Sequence, residues 1–174
     1  MKEELEKDLD AKVTTYEQFK LKQVGMWADQ PDLIYEDKFQ VEGLLTPVKA
    51  GYLLDAGKLV GKQMELTKEQ LTRKNDVYMP CARSYSNDLE ITIPNGYEVK
   101  GLEKLTYNET NPTGGFVSQA KVEGNLLKIS TKKYYTHNFE KAADWPQLTS
   151  FMETAYAFTQ QKILLQKVAT TAQK

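Results

Sequence analysis

Apolar and polar residues alternate along most of this chain, and that period of two predicts half-buried antiparallel strands. In residues 33–41 the apolar row is interrupted only by Asp37. Residues 116–122 and 127–131 form two more rows, with Gly124 and Asn125 between them. Because Gly followed by Asn suits a tight turn, these two rows predict a β-hairpin.

Shorter alternating segments predict more strands, at 15–22, 52–54, 59–60, 87–93 and 97–99. Residues 55–58 have the length of a hairpin loop between two of these segments. Residues 108–115 combine Asn-Pro with Gly-Gly, a composition typical of an exposed loop. We therefore expect most of the chain to be β structure joined by short connections.

The pattern changes to a helical one in two places. Thr67 can cap a short helix, and Gln70 three residues later completes the capping-box pattern. Near the end of the chain Asp144 has the place of an N-cap, and Pro146 lies in the first turn. Apolar residues then recur at intervals of three and four, from Leu148 to Phe158. This spacing predicts one amphipathic helix from about 145 to 162, within 144–167 at its widest.

Strands in succession followed by one helix predict a mainly β fold, an antiparallel β-sandwich with one C-terminal amphipathic helix and a short mid-chain helix. The length of 174 residues fits a single domain over 1–174. We expect a short helical lead-in at 1–12, a β-rich body at 13–142 and the C-terminal helix at 144–167. Strands do not alternate with helices, which argues against a dinucleotide-binding fold.

Composition narrows the function classes. The net charge is −1, so no overall positive field favours nucleic acid. Cys81 and His137 are the only cysteine and histidine, so an internal disulfide or a zinc-ligand spacing is excluded, and we expect no metal or cofactor. No apolar stretch approaches the length of a transmembrane helix. Lys128, Lys132 and Lys133 form a small basic cluster of the kind that shields a sheet edge.

The sharpest enzymatic hypothesis is a thiol triad of Cys81, His137 and Asp144, which occur in the order found in transglutaminase-like enzymes. A catalytic thiolate usually lies at a helix N-terminus or beside an imidazolium, yet Cys81 follows Pro80 and leads into a strand. Asp144 already has a structural use as a helix cap. We therefore expect no catalytic residues, a buried cysteine and a surface histidine.

Aromatic residues offer a second hypothesis, a platform on which a sugar or peptide stacks. Trp27 lies near a predicted turn, and Tyr134 and Tyr135 point to opposite faces of one predicted strand. These three are the candidate ligand-binding residues.

Several segments resemble the C-terminal domain of bacterial transglutaminase-like multidomain proteins. The segments are Arg83-Ser84-Tyr85-Ser86-Asn87, Ile91-Thr92-Ile93-Pro94-Asn95-Gly96-Tyr97-Glu98-Val99, Gly115-Phe116-Val117, Leu127-Lys128-Ile129, Tyr134, and a closing helix with Phe158 and Leu164. With residues 51–66 included, the likeness covers 31–167. In that family an uncharacterised β-rich domain follows a transglutaminase-like core.

The resemblance implies a periplasmic or secreted parent protein of the Gram-negative cell envelope. Its signal peptide and catalytic core would lie upstream of Met1, so no catalytic residue of the family carries over to this chain. We expect a non-catalytic accessory β domain that packs on the upstream transglutaminase-like domain or contacts substrate or cell-wall partners. The alternative is a free-standing carbohydrate- or peptide-binding module.

Overall fold

The computed structural model describes residues 2–25, 29 and 32–168. The chain divides into two compact units, Met1–Leu44 and Leu45–Lys174. The expectation of a single domain over 1–174 stays a prediction.

The first unit is a helix followed by a long β-ribbon. Its elements are α1 (Lys2–Leu9), β1 (Lys12–Val24) and β2 (Leu33–Glu42). The two strands are antiparallel, from the pair Lys12 and Glu42 to the pair Val24 and Leu33. Leu9 is buried, and the Glu6 carboxylate accepts a hydrogen bond of 2.9 Å from the backbone N–H of Val13. The short helix thereby closes the end of the ribbon at which β1 begins.

In its described residues, the second unit contains ten strands and two α-helices. They are β3 (Leu45–Val48), β4 (Gly51–Leu54), α2 (Lys68–Leu71), β5 (Val77–Tyr78), β6 (Arg83–Thr92), β7 (Tyr97–Lys100), β8 (Tyr107–Asn111), β9 (Gly114–Glu123), β10 (Leu126–Tyr135), β11 (Phe139–Glu140), α3 (Trp145–Thr159) and β12 (Ile163–Lys167). Two four-stranded antiparallel sheets have the orders β6-β10-β9-β8 and β3-β4-β12-β7, and β11 pairs with β5. Short 3-10 helices span Ala56–Val60, Leu102–Leu105 and Ala142–Asp144.

The core of this unit lies where α3 covers β8 and β9. Phe158 of the helix packs edge-on against Phe116 of β9 and Tyr107 of β8, with ring centres 5.5 and 6.0 Å apart. Phe151 lies two helical turns earlier on the same face, and its ring packs edge-on against that of Tyr135, with ring centres 5.3 Å apart. Phe151 and Phe158 are fully buried, so this layer of rings joins the helix to the sheet.

The predicted fold class is confirmed: the chain is mainly β, its sheets are antiparallel, and it has a C-terminal helix and a short mid-chain helix. The hairpin of β9 and β10 and the strand at 33–41 are where the alternation placed them. The capping box at α2 is also present, with hydrogen bonds exchanged between Thr67 and Gln70.

The predicted extension of the helix to 162 or 167 is wrong. The helix ends at Thr159, and two successive i to i−3 hydrogen bonds, from Gln160 to Ala157 and from Gln161 to Phe158, tighten its last turn. Residues 163–167 form β12 instead, between β4 and β7. A short apolar run is compatible with either state, and pairing on both sides selects the strand.

Four smaller expectations also need correction. Residues 59–60 belong to a 3-10 helix, and β4 pairs with β3 and β12 instead. Residues 108–111 of the predicted loop belong to β8, which pairs with β9. The Asp144 side chain makes no capping hydrogen bond because its backbone continues a 3-10 helix into α3. Lys128, Lys132 and Lys133 lie on β10, an inner strand of its sheet, so they do not shield an edge.

Candidate functional site

The ribbon of the first unit has one apolar face. Irregularities in register each insert one extra residue into β1, at Thr14, Glu17 and Lys22. Each insertion resets the alternation, so apolar side chains that are not two residues apart in sequence still share one face. The apolar face is formed by Val13, Tyr16, Phe19, Leu21 and Val24 of β1 with Leu33, Tyr35, Phe39 and Val41 of β2.

The half of this face nearest the pair Val24 and Leu33 is open to solvent. Its side chains retain 47–61% of their accessible surface, and the rings of Phe19 and Tyr35 lie 5.7 Å apart. We call this surface the ribbon patch, and it consists of Phe19, Leu21, Val24, Leu33 and Tyr35. Because large apolar side chains that are exposed together, unlike single ones, are uncommon on monomers, the ribbon patch is a candidate contact surface.

Charged and polar side chains elsewhere on the ribbon are paired with one another. On the opposite face, Lys22 and Lys38 form ion pairs of 2.9 and 2.6 Å with Glu36 and Glu17. Within the apolar face, the Tyr16 hydroxyl donates to the Asp37 carboxylate, and this bond raises the pKa of Tyr16 to about 12. Asp37, the one polar residue in its row, is therefore satisfied by a residue of the other strand.

A second candidate surface lies in the helix-covered sheet, at the ends of β6 and β10. The register pairs Arg83 with Tyr135 and Lys133 with Tyr85, so all four side chains lie on one face. Carbon Cζ of Arg83 is 5.2 Å from the ring centre of Tyr135 and 5.9 Å from that of Tyr85. Nζ of Lys133 is 5.5 Å from the Tyr135 ring centre. We call these four residues the cation–tyrosine block.

Lys133 is in an unusual environment within this block. Burial, and secondly the charge of Arg83, lower the pKa of its amine to about 8. Its hydrogen bond of 2.8 Å goes to the Gln63 side-chain oxygen, which carries no charge. Burial also raises the pKa of the adjacent Tyr135 hydroxyl.

The low pKa of Lys133 predicts a pH-dependent contribution to stability. Between pH 8 and the ordinary lysine range the unfolded chain keeps a proton that the folded chain releases, so stability rises with pH. Replacing Lys133 with methionine removes this contribution. From pH 7 to pH 10 the unfolding free energy of the wild type should therefore rise by about 1–2 kcal/mol relative to that of the variant. This figure includes a reduction for the partial exposure of the amine.

Urea unfolding at several pH values measures this difference. Lys132→Met is the matched control, because Lys132 is exposed on the opposite face of the same strand. A constant difference between Lys133→Met and wild type across the range would contradict the prediction.

The three predicted ligand-binding residues are not brought together. Trp27 lies outside the described residues. Tyr135 is buried against Phe151 and belongs to the core as much as to the block. Tyr134 is half-buried on the opposite face, above Gly115 and with Nζ of Lys132 5.7 Å from its ring centre. The two tyrosines thus serve different surfaces, as their adjacent positions in a strand require.

Within the described part of the chain, Cys81 and His137 do not have the hydrogen-bond partners that a thiol triad requires. Cys81 is exposed, which corrects the expectation that it is buried. His137 is exposed as expected, but Nδ1 lies 2.9 Å from the Glu140 carboxylate, so its acidic neighbour is not Asp144. Among the described residues, no hydrogen bond joins Cys81 to His137.

We expect Cys81 to react with a thiol reagent in the native protein as fast as in the unfolded chain, because its side chain is exposed. Replacing His137 with alanine should leave that rate unchanged within about twofold. Stopped-flow labelling with an aromatic disulfide measures both rates. A tenfold loss of reactivity in His137→Ala would show that the imidazole activates the thiol and would revive the triad.

Two features of other classes of site are absent from the described residues. No group of three or more histidine, cysteine, aspartate or glutamate side chains is placed to hold a metal ion. Within the same residues, no helix combines the length and apolar character needed to cross a membrane.

The fold is mainly β, and its two candidate surfaces differ in kind, since one is apolar and the other is cationic and aromatic. Residues 57–165 match the model of DUF3858, a domain of unknown function with a solved structure, and the chain belongs to that family. The matched segment includes the cation–tyrosine block but not the ribbon. No curated protein and no solved structure matches the chain.

Sequence reasoning did not find either surface. The predicted strands at 15–22 and 33–41 contain four residues of the ribbon patch, Phe19, Leu21, Leu33 and Tyr35, but the register irregularities break the period of two in β1 and hid the shared face. The cation–tyrosine block joins residues about fifty positions apart, and only the register of β6 against β10 brings them together.

Proposed function

We propose that this chain is a non-catalytic accessory β domain of a transglutaminase- or protease-like protein of the bacterial cell envelope, periplasmic or secreted. In this proposal the ribbon packs on a transglutaminase-like domain of the same parent protein. The motif resemblance around Arg83-Ser84-Tyr85 and Ile91 to Val99 supports the type of parent, and membership of the DUF3858 family is consistent with it.

The observation that carries the proposal is the ribbon patch. A two-stranded ribbon is marginally stable by itself, and a face of this kind needs a covering layer. Each of the five side chains is about half exposed, so covering it would contribute about 1 kcal/mol. A total of about 5 kcal/mol is enough to hold a domain that the same chain already tethers close by.

The alternative, a free-standing carbohydrate- or peptide-binding module, has one observation in its favour. Tyr134 lies half-exposed on the polar face of the helix-covered sheet, where a sugar ring can stack. A single aromatic ring is a weaker reason than five apolar side chains on one face, so packing on a core is preferred.

The gene that encodes the chain gives the first test: an upstream reading frame without a transglutaminase-like segment would end the proposal. The second test measures hydrogen exchange in the purified core with and without this chain. We expect a protected patch on the core with wild-type chain and none with the double variant Leu21→Ser, Leu33→Ser.

The control for that experiment is Lys20→Ser, which changes a side chain of the same strand on the charged face and should leave protection intact. Circular dichroism of each variant verifies that the second unit is folded. Equal protection by the double variant and by wild type would show that the ribbon patch is not the contact. Tryptophan or tyrosine quenching by cell-wall glycans, without any protection of the core, would favour the binding-module alternative.

A further inference from the structure

The cation–tyrosine block concentrates positive charge at one aromatic ring. Cζ of Arg83 and Nζ of Lys133 lie 5.2 and 5.5 Å from the centre of the Tyr135 ring. The register places the two residues diagonally across β6 and β10. Like charges held this close repel each other, which is unfavourable unless a third group of opposite charge is present.

Within the described residues, neither cation has a carboxylate partner. Lys133 donates to the neutral Gln63 oxygen, and Arg83 contacts the rings of Tyr85 and Tyr135. On the opposite face of the same sheet, Lys128 pairs with Glu90 and Glu123 at 3.3 and 3.0 Å. Lys132 on that face lies beside the Tyr134 ring and, among the described residues, has no carboxylate partner either, but it is a single exposed charge. The block differs because two cations share one aromatic ring without a carboxylate.

The shape of the donors favours a carboxylate over a phosphate. Arg83 has five N–H donors in a planar fork. One side of the fork donates to the Tyr135 hydroxyl, and the remaining donors match the two oxygens of a carboxylate. Phosphate sites usually add several free backbone N–H groups. The backbone of β10 is paired with β6 on one side and β9 on the other, so it offers none here. The N–H groups on the outer side of β6 lie in the plane of the sheet and do not point to the face that carries the block.

The position of the block at a sheet edge also indicates what kind of molecule carries the carboxylate. Among the described strands β6 is at the edge of its sheet, and its outer side has no partner. An extended peptide can pair along such an edge, and its alternate side chains then lie beside those of the edge strand. Arg83 and Tyr85 are both exposed and point to the face where Lys133 lies.

From this geometry we propose that the cation–tyrosine block binds the carboxylate of an acidic side chain in an extended peptide that pairs along β6. Arg83 holds the carboxylate through its planar edge, and Lys133 supplies the second charge. The Tyr135 ring contacts both cations through cation–π interactions, and the exposed Tyr85 ring contacts the guanidinium. This site is independent of the ribbon patch and of any transglutaminase-like partner.

Isothermal titration calorimetry of the whole chain tests the proposal at low salt and pH 7. The probe is a short, terminally blocked peptide of alternating valine and glutamate, and its comparison is the same peptide with glutamine in place of glutamate. We expect the glutamate peptide to bind at least about tenfold more tightly, because it alone carries the charge. Since both peptides are measured on the wild-type chain, this comparison does not depend on how any variant folds.

Three variants locate the binding. Arg83→Gln and Lys133→Gln should each weaken binding of the glutamate peptide by about tenfold, which is typical for one charged partner of a carboxylate. Lys132→Gln removes a neighbouring charge that lies on the opposite face and should change the affinity by less than twofold. Inorganic phosphate, added as a competitor at the same concentration as acetate, should displace the peptide no better than acetate does.

Several outcomes would overturn the proposal. They are equal affinity for the two peptides, no binding of either at millimolar concentration, an effect of Lys132→Gln as large as that of Lys133→Gln, and stronger competition by phosphate than by acetate. None of these results bears on whether the ribbon packs on a core domain, so the two proposals fail separately.

Discussion

Replacing Gly114 with alanine is expected to destabilise the second unit by about 3 kcal/mol or more. Gly114 has a φ of +157°, and a Cβ built there would lie 2.2 Å from the Tyr134 carbonyl oxygen and 2.9 Å from Cζ of Phe151. The carbonyl belongs to the paired strand β10, and the Phe151 ring is fully buried, so neither can move without disrupting the core. Overpacking combined with backbone strain is among the costliest single changes.

Urea unfolding followed by circular dichroism measures this loss. The control is Gly124→Ala, because Gly124 also has a positive φ, +62°, but has no atom within 4 Å of the added Cβ. The control should cost about 1 kcal/mol from backbone strain alone. If the two variants lost equal stability, the contact between β9, β10 and α3 would not be as close as the structure has it.

Replacing Phe158 with alanine is expected to cost about 3–5 kcal/mol of unfolding free energy. Phe158 is fully buried and joins α3 to both β8 and β9 through Tyr107 and Phe116. Its removal leaves a cavity between two aromatic rings that cannot close around it. Near-ultraviolet circular dichroism should also weaken, because these tyrosine and phenylalanine rings lose their fixed packing.

Phe139→Ala is the matched control for this variant. Phe139 lies on β11 and is 48% exposed, so its truncation should cost less than about 1 kcal/mol. A loss of stability in Phe158→Ala that is no larger than in Phe139→Ala would mean that the C-terminal helix does not cover the sheet in the native protein.

The sequence predicted the parts of the fold in which local pattern and tertiary pairing agree. The hairpin around Gly124 has the alternation of both strands and a turn that only one register satisfies, so β9 and β10 were found. The capping box of Thr67 and Gln70 was found for the same reason, because its hydrogen bonds join residues three positions apart.

The failures have a different origin. Ile163 to Lys167 carries no local signal that separates a strand from a helix, and it becomes β12 because β4 and β7 pair with it on either side. In β1, extra residues shift the side chains between faces, so the apolar face is visible only once β2 is aligned beside it. Asp144 had the right residue type for an N-cap, but a preceding 3-10 turn fixed its backbone in a helical conformation.

By itself the sequence determined the class of this protein, a mainly β fold with antiparallel strands and a C-terminal helix, because side-chain periodicity and turn chemistry act over a few residues. The tertiary structure alone decided which strands are neighbours, and with them the ribbon patch and the cation–tyrosine block. Arg83 meets Lys133 only through the register of two strands, and that register minimises the free energy of the whole sheet and is not encoded in any short segment.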